Sequence, residues 1–149
     1  MKVSWRGFSL VPLAVIMLLP GCSGVPPVQS DSCSTTSSDG PATVSYTADI
    51  IPLFTAGGCL SSACHSGPFP SSGYDLRTHA TGFQSGDVAR RISMCAIVPG
   101  DPENSFLIEK LRSDDPVGGG YRMPMEREPL TEEEITMIET WIREGAQNN

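Results

Sequence analysis

Apolar residues along this chain recur at helical rather than alternating spacing. The clearest case lies near the C-terminal end, where Ile135, Ile138, Trp141 and Ile142 mark one face of a predicted helix. Thr131, with Glu134 three residues on, forms a capping box ahead of it. Glu132, Glu133 and Glu134 put negative charge where the helix dipole favours it, and Gly145 is a natural stop. A second helix carries Phe106, Leu107, Ile108 and Leu111, with Asp101 as the expected N-cap and Pro102 in the first helical position. A third runs from an N-cap at Thr47 through Phe54, either kinked at Pro52 or with only its first turn ahead of that proline, and ends at Gly57-Gly58. A short helix is expected from Asp87 to Met94, with Val88, Arg91, Ile92 and Cys95 on one side and a break at Pro99-Gly100. Ser66 to Gly73 and Ser113 to Gly120 are dense in turn formers and read as loops. With no internal repeat and no strand signal, residues 44–149 read as one all-α domain.

What precedes the domain has a different character. Lys2 and Arg6 are followed by an almost wholly apolar run from Phe8 to Leu19, the pattern of a secretory signal. The run is short for a membrane span, which takes about 20 apolar residues. Leu19-Pro20-Gly21-Cys22 resembles a bacterial lipobox, so residues 1–21 are expected to be removed and Cys22 to carry lipid. Residues 22–43 are rich in Ser, Pro, Thr and Gly without apolar periodicity, and read as a tether between lipid and domain. This places the chain in the cell envelope, held to a membrane through its lipid anchor. Ser23, in a position where Asp is absent, favours the outer membrane.

Charge narrows the partners. Loss of residues 1–21 removes Lys2 and Arg6 and no acid, leaving eight basic residues against 17 acidic and a net charge of −9. Nucleic acid is an unsuitable partner for such a surface, whereas a basic redox protein suits it.

The candidate chemistry centres on Cys59-Leu60-Ser61-Ser62-Ala63-Cys64-His65. Two thiols followed at once by an imidazole suit covalent haem attachment, with the histidine as proximal iron ligand. The usual spacer between the cysteines is two residues; here it is four. The same residues also suit a Cys59–Cys64 disulfide beside an exposed histidine. Zinc fits poorly, because no further Cys or His pair completes a ligand set. Of the chain's five cysteines, Cys33 and Cys95 then remain, and two thiols in an oxidising compartment commonly pair.

A low-spin haem of this type needs a sixth ligand, commonly a methionine thioether in a later loop. Arg122-Met123-Pro124 is such a loop, with Pro124 stiffening it. Met125 and His79 are the rival sixth ligands; His79, in Arg77-Thr78-His79-Ala80, reads as a loop surface residue. Arg90, Arg91 and Arg122 are candidates for pairing with haem propionates, or equally for surface salt bridges.

Four stretches together resemble the small cytochrome c-like domain of many exported bacterial proteins. They are Tyr46 to Phe54; Cys59 to His65; Val98 to Pro102 with Ser105-Phe106-Leu107; and Arg122-Met123-Pro124 followed by Leu130 and Thr131 to Ala146. The resemblance implies an all-α fold around one covalently bound haem c, with the first and last helices crossing. It implies Cys59 and Cys64 as thioether attachments, His65 as proximal ligand and Met123 as distal ligand. Lengthened cysteine spacers occur in some branches of that family. The implied activity is electron transfer between redox partner proteins rather than enzymatic turnover. Two alternatives stay open: a non-redox structural or binding lipoprotein with Cys59–Cys64 as a disulfide, and a haem sensor or peroxidase-like enzyme with an open sixth site.

Overall fold

The computed structural model describes Cys33 and residues 40–149. The expected signal segment 1–21, Cys22 and nearly all of the tether lie outside the described residues. The described chain is all-α, with no strand: α1 is Ile51–Ala56, α2 His79–Gly82, α3 Asp87–Arg91, α4 Phe106–Arg112 and α5 Glu132–Arg143.

The first helical segment starts earlier than expected and absorbs its proline by widening. Tyr46–Ile50 form one broad turn in which amides donate five residues back, Ile50 N to the Ser45 carbonyl at 3.2 Å. Pro52 then falls in the first turn of α1, where its missing N–H is little loss. The N-cap is Ser45, whose Oγ accepts from Ala48 N at 3.1 Å, and not Thr47. The Thr47 hydroxyl is otherwise engaged, donating to the Asn149 carbonyl at 2.8 Å.

A second correction concerns α4, which begins at Phe106 after Ser105 rather than at Asp101-Pro102. The Asp101 carboxylate closes a turn of its own, accepting from the Asn104 backbone amide at 3.2 Å and from its side-chain amide at 2.6 Å. Ser105 joins that turn to the preceding loop, donating to the Asp101 carbonyl and accepting from Val98 N. Similarly, α3 stops at Arg91, and its buried residue is Ala89, while Arg91 of the expected face is exposed.

α5 is as the sequence reads it. Thr131 and Glu134 cap it reciprocally, and Ile135, Ile138, Trp141 and Ile142 are buried. These side chains meet Ile50, Leu53 and Phe54 from the first segment and Leu107, Ile108 and Leu111 from α4 in a single core. Tyr46 stacks on Trp141 with ring centroids 5.5 Å apart, so the first and last helical segments pack together. Asn149 reinforces this: its Oδ1 accepts from Tyr46 N at 2.8 Å and its carbonyl from Thr47 N at 3.0 Å. Arg112 at the end of α4 bridges Glu132 and Glu139 of α5.

Cys33 and Cys95 are joined by a disulfide, with Cα atoms 5.5 Å apart across 62 residues of sequence. The bridge fastens Cys33 beside Ser85, whose hydroxyl also accepts from Ala96 N.

Candidate haem-binding cavity

The loop that follows α1 is built by backbone hydrogen bonds that take up its long cysteine spacer. Cys59 N donates to the Phe54 carbonyl, Cys64 N to Ser61, and His65 N returns to the Cys59 carbonyl at 3.1 Å. Residues 59–65 therefore form a closed coil of turns, and the four-residue spacer brings His65 back over Cys59. Ser66 Oγ donates to the Leu60 carbonyl at 2.7 Å, and Ser71 N to Cys64 at 2.8 Å. Gly67 is buried against the Ser62 carbonyl, so closely that a Cβ there would come nearer than 3.0 Å.

His65 is fixed from the far side of the loop. Leu76 N donates to the His65 carbonyl, and the His65 ring Nδ1 lies 2.8 Å from the Tyr74 carbonyl. A carbonyl only accepts, so Nδ1 carries the proton and the Nε2 lone pair is left for a ligand bond. Burial holds the imidazole pKa below its ordinary value of 6.5, partly opposed by the Tyr74 carbonyl and Asp75. The ring is thus kept neutral at pH 7, the form in which a histidine binds iron. Tyr74 is itself anchored, its hydroxyl donating to the Gly82 carbonyl at 2.9 Å, and burial pushes its phenol pKa up.

His65, Cys59 and Met123 line one cavity of about 400 Å³. Its walls are mainly apolar, from Phe54, Leu76, Ala89, Phe106, Leu107 and Leu111. Met123 arrives there because α4 holds its loop: Met123 N donates to the Lys110 carbonyl at 2.7 Å, and Arg122 Nε to the Leu111 carbonyl at 2.9 Å. Met125 also reaches the wall but is about half exposed, whereas Met123 packs against the core. Cys59 and Cys64 are free thiols, so the Cys59–Cys64 disulfide of the structural alternative is not formed. Burial raises the Cys59 pKa, keeping the thiol protonated. Cys64 is half-buried and not on the cavity wall.

One sequence expectation is corrected here, and one left open is narrowed. His79 is no loop surface residue: it opens α2, its Nε2 lies 2.6 Å from the Ala146 carbonyl, and its ring packs among Tyr46, Phe83 and Trp141. With its Nε2 taken by the Ala146 carbonyl and its ring packed in that aromatic cluster away from the cavity, His79 drops out as a sixth ligand. The arginines are committed elsewhere: Arg90 to Asp87 and the Ser85 carbonyl, Arg91 to the Gly118 carbonyl, Arg122 to Leu111 and Asp114. Sequence reading missed Lys110, the one Lys or Arg on the cavity wall. Its spacing from Phe106 and Leu107 already put it on the buried side of α4.

A model of the family described as Planctomycete cytochrome C matches residues 61–124. The match spans a little under half of the chain, taking in Cys64, His65 and Met123 and beginning just after Cys59. It supports a cytochrome c-like domain, and that family implies c-type haem and electron transfer. Neither the curated proteins nor the solved structures yield a match. The cavity suits the implied group. Its volume is within the range of about 300–1,000 Å³ usual for cofactor sites. Among the described residues no group of three or more His, Cys, Asp or Glu is placed to hold a metal. A metal here would take one imidazole and one thioether from the protein and its remaining donors from its own macrocycle, as iron does in haem.

Proposed function

We propose that this chain is an exported, lipid-anchored, single-haem c-type cytochrome that carries electrons. The observation that carries the reading is the apolar cavity whose wall holds His65, Cys59 and Met123, within and beside the segment that resembles a cytochrome family. Haem bound there supplies a one-electron ferrous–ferric couple. Cys59 and Cys64 would attach it through thioethers, and His65 and Met123 would ligate its iron. The protein's part is positional and electrostatic: the Tyr74 carbonyl orients the imidazole, α4 presents the thioether, and apolar walls exclude water. Met123 on the wall favours a closed six-coordinate carrier over a sensor or peroxidase with an open site. Cys22 carries the lipid, and the acidic surface favours basic redox partners over nucleic acid.

The test is a haem stain after denaturing electrophoresis of protein made in a host with c-type maturation. Stain staying with the band supports covalent haem; a well-folded, exported band without stain refutes it. In stained protein, Met123→Ala is expected to abolish the methionine-to-iron absorption band and Met125→Ala to leave it. Cys22→Ser is expected to release the protein from membranes.

A further inference from the structure

Lys110 stands in the last turn of α4 with its ammonium on the wall of an otherwise apolar cavity. It donates to the Tyr121 carbonyl, and among the described residues it makes no ion pair. An ammonium has three N–H donors, and one carbonyl does not neutralise its charge. Beside it run Gly118, Gly119 and Gly120, all at positive φ, a conformation that suits glycine. Gly119 and Gly120 form part of the same wall; a Cβ on Gly120 would sit 3.2 Å from Lys110 Nζ, and Gly119 has open space where a Cβ would be. The glycines thus leave room around the one uncompensated cation in the cavity. Arg90, Arg91 and Arg122 are already held by carboxylates or carbonyls, as described above.

We infer that Lys110 receives a carboxylate of the cavity's occupant, which under the haem reading above is a haem propionate. A partly desolvated ammonium on an apolar wall is stabilised by an anion, and a propionate gains a charge-assisted hydrogen bond in the same contact. The inference rests on the proposed haem and adds to it the residue that orients the ring's polar edge.

The experiment is resonance Raman spectroscopy of the haem-loaded full chain and of its Lys110→Gln and Lys110→Arg variants, following the propionate bending band. The band is expected to shift in Lys110→Gln and to keep its position in Lys110→Arg. A band unchanged in haem-loaded Lys110→Gln overturns the contact, even if the variant melts at a lower temperature, because that alone reports the lost Tyr121 hydrogen bond. If Lys110→Gln does not accumulate folded, Lys110→Met and Lys110→Arg are read the same way. Absence of haem from the wild-type chain would overturn the parent reading, and is seen in the absorption spectrum before any variant is made.

Discussion

Replacing Gly67 by alanine tests whether the long cysteine spacer is a built structure or slack. Gly67 is buried, and a Cβ placed on it would meet the Ser62 carbonyl oxygen at less than 3.0 Å, a separation that Cβ atoms do not tolerate. The clashing atom is backbone within the 59–65 coil, so no flexible side chain can swing aside. The coil is meanwhile held by His65 N on Cys59 O and by Ser66 Oγ on Leu60 O. Relief requires a backbone displacement on the order of half an ångström, and overpacking of this kind costs about 1–3 kcal/mol. We expect Gly67→Ala to lose about 2 kcal/mol in urea unfolding with an unchanged slope, and to weaken His65 ligation in the absorption spectrum of haem-loaded protein. Gly40→Ala is the control, since no atom lies within 4 Å of a Cβ there. A Gly67→Ala protein as stable as Gly40→Ala, with unaltered ligation, would refute the claim that the coil sets the histidine's position.

Removing the Cys33–Cys95 bridge by a double serine substitution opens a loop of 62 residues, for which loop entropy predicts a loss of about 4 kcal/mol; a change in urea-derived stability below about 1 kcal/mol would show that the segment around Cys33 is held by other contacts. Glu144 gives a pH signature. Its carboxylate accepts from the Thr43 hydroxyl and from the Thr43 and Val44 amides, which hold its pKa below the ordinary 4.5. A depressed folded pKa contributes stability above the unfolded value that is lost as pH falls through the folded one. Thermal melts should therefore separate wild type from Glu144→Gln at pH 7 and converge in strongly acidic buffer; a separation independent of pH would contradict the assignment.

α5 was fully legible because its determinants are local. Thr131 and Glu134 satisfy each other's backbone amides within one turn, and the spacing of Ile135, Ile138, Trp141 and Ile142 defines a face whatever it meets. The order Cys59, Cys64, His65 and the later Met123 likewise named the candidate ligands, since their chemistry lies in residue type and sequence order. Local signals misled where a side chain had a competing partner. Thr47 and Asp101 both look like helix caps, yet one hydroxyl serves Asn149 and the other carboxylate serves Asn104 in a separate turn. Three things were decided by tertiary structure alone. His79 is removed from the ligand set by the Ala146 carbonyl, 67 residues away. That the buried side of α4 bearing Lys110 faces a cavity follows from what packs opposite it, and the His65 tautomer follows from the Tyr74 carbonyl that the 66–73 loop folds back beneath it. Each depends on which backbone carbonyl or apolar face comes near, and such distant neighbours leave no trace in the spacing of residues along the chain.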